Sequence, residues 1–419
     1  MTKYFKRKIL IITAVPPNKR GESLYVFNVL DNYIKKDVSS EIVILTHKDD
    51  FIEESTMGYR LDERIEVRRI LFSKPFFRQF NWAMISVFIM RYRPHIIHVI
   101  NPLNPAMFGG ALGEDLSVPI FISKLFKGKS MLSLHVTYDR NMIESKVDLR
   151  VGSSLLRRKI SSYIIAGQSL LFNLSNLINI VTTNENDTRP IAISKEYGVP
   201  THKIGLEFHP TVVSNSLIQP AEIDSSTKRF VLTMGYFRED KGFELAIKTI
   251  EEIQERHNMS LDLIIAGPTA DEMSENYYDQ IKLQRERSAH KRHIHLIHRF
   301  IDDGEVAWLM RHSIAYLALY SNVQGPSGTV ITALSTGLPV FSFHSQQLEM
   351  ELGRDGLIWV EKDTKDIATK LVEVIGESGK SGDMHSVFTA KLKHITYEDL
   401  ADSWYFSYDK LFTNISSAE

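Results

Sequence analysis

The sequence predicts an α/β protein built as two doubly wound domains in series. Three observations carry this. At 419 residues the chain is too long for one ordinary core. Short apolar runs alternate throughout with longer amphipathic ones, the βαβ rhythm of a mostly parallel sheet covered on both faces. That rhythm pauses once, over Val213–Thr227, a Ser/Asn/Pro-containing stretch of little apolar content, and then restarts.

Taken in order, Ile9–Val15 is the first strand. With Lys3–Lys8 before it, the run mimics a signal peptide, but it is short, ends in Pro16-Pro17 and has no small-residue cleavage site. Helical periodicity follows over Ser23–Lys35 and Phe77–Arg91. Strands are expected at Glu41–Leu45, Ile96–Ile100, Ser130–Leu134, Ile178–Thr182 and Ile204–Phe208. Tyr163–Val181 is the most apolar stretch, yet Gln168, Asn173, Ser175, Asn176 and Asn179 interrupt it. It reads as a helix running into a strand, and no run reaches the length of a membrane span. The second rhythm places strands at Phe230–Met234, Leu261–Ala266, Ile294–Ile297, Ile314–Leu319, Val340–Phe343 and Leu357–Val360, with helices at Phe243–Arg256 and Glu305–His312. Tyr397–Phe412 is a separate amphipathic helix containing Trp404, Tyr405, Phe406 and Tyr408, expected to pack back across the domain junction. The expected boundaries are therefore 1–212, a linker at 213–227, 228–396, and a returning helix in 397–419.

Composition narrows the function. The chain is 43% hydrophobic and 24% charged, as soluble globular proteins are. Lys+Arg 50 against Asp+Glu 51 leaves a net charge of −1, so no global basicity points to nucleic acid. The absence of cysteine excludes disulfides, thiolate zinc sites and cysteine nucleophiles, and fits a reducing compartment.

The segment Tyr320–Val340 is the most informative. An apolar strand runs into a loop of small residues, then a short helix, Gly337-Leu-Pro and another strand. Gly325, Ser327 and Gly328 would let backbone approach a ligand, and a helix beginning near Ser327 would offer it free N–H groups. Such a joint suits a phosphate or diphosphate. In Gly235-Tyr-Phe-Arg-Glu-Asp-Lys-Gly242, Lys241 and Arg238 lie in a Gly-flanked turn before a helix and could supply positive charge. His135 directly follows a strand, and a lone His there is as often a satisfied core group as a reactive one. His290, His293, His295 and His298 have metal-like spacing. No acidic ligand lies at a fitting position and Arg and Lys frame the run, so a solvated basic stretch is expected, and no metal. Arg157, Arg158 and Lys159, with Lys124, Lys127 and Lys129, would be a solvated helix start or, less commonly, a contact with anionic lipid. The aromatic Phe76–Trp82 segment is expected in the core.

Several motifs, in order, resemble those of GT-B glycosyltransferases, specifically the retaining glycosyltransferase family four. They are Pro16-Pro-Asn-Lys-Arg-Gly-Glu22, Arg93-Pro-His-Ile-Ile-His-Val99, His135 after its strand, Gly235–Gly242, Ile264-Ile-Ala-Gly-Pro268, Ala333-Leu-Ser-Thr-Gly-Leu-Pro-Val340, and Trp404 with Tyr408 in the tail helix. The resemblance covers nearly the whole chain. It implies two Rossmann-like domains facing across a cleft, the first on the acceptor side and the second on the nucleotide-sugar side. It implies transfer of a sugar from a UDP-, GDP- or ADP-sugar to a glycan or lipid-linked acceptor, with retention, without a cofactor or metal. The implied setting is cytoplasmic, or peripheral at the inner face of the membrane.

By the same resemblance, His135, Arg238 and Lys241 are the catalytic candidates. Gly21, Gly235, Phe300, Gln324, Gly325, Ser327, Gly328, Thr329 and Thr332 are the donor-binding candidates, Phe300 through its backbone. Glu349 stands where the family has a further Glu, although a surface charge is the commoner explanation. The family's paired glutamates are replaced here by Gln324 and Thr332. Gln324 can still hydrogen-bond a sugar hydroxyl, whereas Thr332 is too short to grip a ribose diol with two bonds. Two rivals follow: a GT-B module that no longer catalyses and acts as a partner subunit, and a nucleotide-sugar epimerase. The epimerase would require several carboxylates converging on the site, and the N-terminal loops do not offer them.

Overall fold

The computed structural model describes residues 7–13, 21–37, 39–48, 62–72, 75–103, 114–135, 137, 143–144, 154–211, 213–224, 229–257, 259–269, 272–321, 328–377 and 395–416. The chain forms two compact units, Met1–Pro210 with Ile395–Glu419, and Thr211–His394.

The first unit holds a seven-stranded parallel sheet of order β3-β2-β1-β4-β5-β6-β7. Its strands are β1 (Arg7–Ile12), β2 (Ser40–His47), β3 (Ile65–Leu71), β4 (Ile96–Ile100), β5 (Lys129–Leu134), β6 (Leu177–Thr182) and β7 (Ile204–Phe208). Its helices are α1 (Gly21–Lys36), α2 (Pro75–Arg78), α3 (Asn81–Tyr92), α4 (Ser117–Leu125), α5 (Ser154–Leu174) and α6 (Arg189–Tyr197). One face of the sheet (Leu10, Val43, Ile97, Leu132, Ile178) is covered by α3, α4 and α5 through Ile85, Ile89, Ile120, Ile164 and Leu171. The other face (Ile9, Ile11, Ile42, Ile96, Met131) is covered by α1 and by the last helix.

The second unit holds a six-stranded parallel sheet of order β10-β9-β8-β11-β12-β13. Here the strands are β8 (Phe230–Met234), β9 (Asp262–Gly267), β10 (Ile294–His298), β11 (Ala315–Ala318), β12 (Val340–Phe343) and β13 (Ile358–Val360). Between them run α7 (Phe243–Arg256), α8 (Glu272–Arg287), α9 (Asp303–His312), α10 (Gly328–Ser335), α11 (Gln346–Leu352) and α12 (Thr364–Glu377); α13 (Tyr397–Ser416) closes the chain in the first unit. α9 begins in a capping box, in which Asp302 accepts from the Glu305 N–H and Glu305 reaches back to the Asp302 N–H.

Both sheets fit the doubly wound α/β class. Several elements were not expected from the periodicity, among them α4, α6 and α12, and two show why. β3 reads Ile-Glu-Val-Arg-Arg-Ile-Leu, an edge strand in which Glu66 and Arg68 are exposed and Arg69 is partly buried. α8 carries so few buried residues (Ser274, Tyr277, Ile281) that no apolar stripe announces it. The aromatic segment expected in the core is not there: Phe77, Phe80 and Trp82 are 45%, 47% and 38% exposed. α3 instead turns Asn81, Ile85, Ser86 and Ile89 inward. The stretch assigned as linker is also not bare, since the Ile218 N–H donates to the Gly304 carbonyl and Ile223 is buried in the second unit's core.

Candidate functional site

In the second unit the strand order reverses between β8 and β11. In open parallel sheets a ligand crevice forms outside the carboxyl ends of the strands at such a switch point. Gly235 follows β8, Tyr320 follows β11, and α10 begins close by, so sequence-distant candidates meet there.

Close backbone approach builds the floor. A Cβ on Gly267 would sit 1.9 Å from the Gly235 carbonyl oxygen, so β9 can end this close to β8 only in a glycine. Gly242 closes the Glu239–Lys241 turn at φ 70°, and a Cβ there would meet the Leu319 carbonyl oxygen at 2.2 Å. The Ser321 N–H donates to the Asp240 carbonyl at 2.9 Å, fixing that turn to the end of β11.

On this floor the Lys241 side chain runs past Gly235, and its Nζ lies 3.9 Å from the centre of the Tyr320 ring, a close cation–π contact. The Tyr316 hydroxyl is a buried hub. It donates to the Met234 carbonyl (3.0 Å) and meets Thr329 Oγ1 (2.9 Å) and the Tyr320 hydroxyl (3.0 Å). Burial first, and then Tyr320, pushes the Tyr316 pKa up, so this hydroxyl stays protonated. Gly235, Lys241 and Thr329 are thus brought together, with Gly328 as the first residue of α10. Tyr316 and Tyr320 are the members that sequence reasoning missed. A tyrosine spacing of four across the end of a strand was the available signal.

Other candidates are differently placed. Arg238 forms a two-bond pair with Asp240 (2.9 and 2.7 Å) on the exposed side of the turn. The Thr332 hydroxyl donates to the Gly328 carbonyl one helical turn back, at 2.8 Å. Phe300 is 42% exposed beyond β10. Its neighbour Arg299 is held by Glu305 and Glu222, which raise its pKa further. Glu349 pairs with His344 at 2.7 Å. Gln324, Gly325 and Ser327 lie outside the described residues.

The histidine run has an acidic neighbour after all, because Asp262 on β9 accepts from His293 Nδ1 at 2.7 Å. It stands 31 residues away in sequence, which hid it from any spacing rule. His298 stacks on Tyr278 with ring centres 3.7 Å apart. Among the described residues no group of three or more such side chains is arranged to hold a metal ion.

In the first unit, Gly21 opens α1 and His135 follows β5. His135 meets Tyr25 edge-on (5.2 Å between ring centres) and lies 6.4 Å from His209. Burial, helped by His209 and Arg189, lowers its pKa to about 3, so the ring is neutral. Its Nε2 finds no hydrogen-bond partner among the described residues. Beneath it runs a buried polar chain. Tyr408 OH contacts His98 Nδ1 (2.6 Å), His98 Nε2 contacts Ser133 Oγ (2.7 Å), and Ser133 donates to Glu207 (2.8 Å). Tyr25 and Asn179 also donate to Glu207. Because Ser133 donates onward, His98 donates through Nε2 and accepts from Tyr408 through Nδ1.

Residues 228–377 match the sequence model of the family described as Glycosyl transferases group 1. No curated protein matches the chain. Many solved structures are similar in fold, of which three follow. Sucrose-phosphate synthase from Thermosynechococcus elongatus has 12% identity and a TM-score of 0.65, covering 97% of this chain and 100% of that one. Anabaena HepE, in complex with UDP and glucose, has 12% identity and a TM-score of 0.64, covering 96% and 100%. A glycosyltransferase from Rickettsia africae has 13% identity and a TM-score of 0.63, covering 98% and 100%. At such identities these likenesses establish the fold, two Rossmann-like α/β domains of the GT-B class.

Proposed function

We propose that the protein is a glycosyltransferase that moves a sugar from a nucleotide-activated donor to a glycan or glycolipid acceptor, with retention and without a metal. The observation that carries this is Lys241 set against Gly235 and Tyr320 at the β8/β11 switch point, beside the start of α10. The match of residues 228–377 to glycosyltransferases supports it independently. In the proposed reaction the bond between the anomeric carbon and the diphosphate breaks, the acceptor hydroxyl oxygen takes its place, and the hydroxyl proton leaves to the departing diphosphate. Negative charge grows on the departing diphosphate. A fixed ammonium and backbone N–H groups aimed at that charge lower the barrier, because they need not reorganise as it develops. His135, a neutral imidazole whose Nε2 has no partner among the described residues, is suited to hydrogen-bond a sugar hydroxyl.

A second reading, a binding module without catalysis, draws on Thr332, whose hydroxyl is engaged with its own helix. The two separate experimentally. UDP is the first nucleotide to try, since HepE was solved with it. UDP, GDP, ADP and their sugars are screened for a rise in melting temperature, which mass action requires of any ligand that binds only the folded state. One of them is expected to stabilise the protein, and Lys241→Ala to abolish the shift. Release of free nucleotide from the matching sugar then reports catalysis. No stabilising ligand would sink the proposal; an undiminished shift in Lys241→Ala would remove that lysine from the site. Binding without turnover, with or without candidate acceptors, would favour the module.

A further inference from the structure

The outward surface of the α3–α4–α5 layer is built against the usual pattern. On α3 the exposed residues are Trp82, Met84, Val87, Met90 and Arg91, so every one but the arginine is apolar. On α4 and the residue after it, Val118, Phe121, Leu125 and Phe126 are 42%, 51%, 66% and 38% exposed. On α5, Tyr163 and Leu170 are 64% and 52% exposed. A surface helix should turn polar residues outward. Here the neighbouring helices α3 and α4 do the opposite, while α5 adds Tyr163 and Leu170 among exposed Arg158, Lys159, Ser162 and Asn173; exposed apolar surface of this kind marks an interaction site.

The three helices themselves carry charge of one sign, although Asp115 lies in the turn just before α4. The 12, 9 and 21 residues of α3, α4 and α5 include no Asp or Glu, but do include Arg91, Lys124, Arg157, Arg158 and Lys159. Arg93 lies over the Phe126 ring, 5.1 Å from its centre. Lys124, Lys129 and Lys203 stand close enough that, beyond partial burial, the two neighbours depress the Lys124 pKa. Among the described residues, no carboxylate pairs with Arg91, Lys124, Lys129, Arg158 or Lys159. A second copy docking by this face about a twofold axis would bring like charges together. No helix among the described residues is long and apolar enough to cross a membrane.

We propose that this layer is a docking face for an anionic lipid surface. Phe121, Leu125, Phe126 and Trp82 enter the boundary between headgroups and acyl chains, and the surrounding lysines and arginines meet lipid phosphates. Aromatic and aliphatic side chains ringed by Lys and Arg are what such an interface selects. The assignment is independent of the glycosyltransfer reading.

The test is flotation of the full chain with phosphatidylcholine vesicles, with and without phosphatidylglycerol. Binding is expected only with phosphatidylglycerol, weakening as salt rises. Lys124→Gln and Lys129→Gln are each expected to lower partitioning about fivefold, the loss of one interfacial cation. The double variant Phe121→Gln/Leu125→Gln is expected to lower it at least as far, with an unchanged melting temperature. Quenching of Trp82 by brominated lipid, absent in Trp82→Phe, would place α3 at the bilayer. No binding to phosphatidylglycerol vesicles, or binding indifferent to these substitutions, would overturn the proposal. So would self-association that the same substitutions abolish, which would give the face to a second copy.

Discussion

At the scale of single residues, folding keeps one histidine neutral well below its ordinary pKa. His98 is fully buried between Tyr408 and Ser133, and burial lowers its pKa to about 3. In the unfolded chain it titrates near about 6.5. Below that value the unfolded state binds a proton that the folded state refuses. The neutral ring's contribution is therefore complete above the unfolded pKa and is lost progressively as pH falls toward the folded one. Between about pH 7.5 and about pH 5.5 this one group should remove about 1.4 kcal/mol of stability. Urea unfolding at both pH values checks it: His98→Gln should show that much less acid sensitivity, and an unchanged sensitivity would mean that His98 is charged when folded. The same scale explains what the sequence disclosed of the candidate site. Lys241 and Gly235 were legible because glycines bracket a turn between strand and helix. The Arg238–Asp240 pair and the Thr332 hydroxyl were not, since a side chain's partner is chosen by rotamer and packing rather than by spacing. Tyr316 read as a strand residue and Tyr320 as the first residue after the strand; only the fold turns their hydroxyls toward Thr329.

Among the elements, α13 shows most directly how sequence pattern becomes fold. Leu400, Ala401, Trp404, Tyr408 and Leu411 recur at helical spacing and are buried with Tyr25, Tyr33 and the β1 residues Ile9 and Ile11. Trp404 sits edge-on to His98, ring centres 4.7 Å apart, and also borders Tyr25. The last helix is thus an integral layer of the first unit. Trp404→Ala should cost about 3–5 kcal/mol, the usual consequence of emptying a large aromatic site in a core. Denaturant titration measures it, and a loss below about 1 kcal/mol would mean that the site collapses or that α13 is dispensable. The strong apolar stripe of α13 made it visible in advance. α3 misled for the opposite reason, because its sequence is apolar on both faces. Periodicity cannot say which face of such a helix turns inward, and here polar Asn81 and Ser86 go in while Met84, Val87 and Met90 stay out.

For the whole molecule, bulk properties conceal division of labour. A net charge of −1 averages away three helices that carry no acid at all. Each unit buries its own cores on both faces of its sheet, which likewise makes global stability a composite of two units, so a ligand's effect should be local. The arrangement at the β8/β11 switch point predicts where. UDP, if it is the nucleotide recognised, should slow hydrogen exchange in the Glu239–Lys241 turn and the first turn of α10, both in the second unit. Exchange in α13, in the first unit, should be unchanged, because its amides are protected by a core that holds none of the donor-binding candidates. Mass spectrometry with and without UDP reads both units in one experiment. Protection concentrated at the ends of β1 and β4 would move the nucleotide to the first unit's own switch point, and with it the role proposed for Lys241. Protection confined to the second unit would leave His135 and its neighbours free to receive the acceptor.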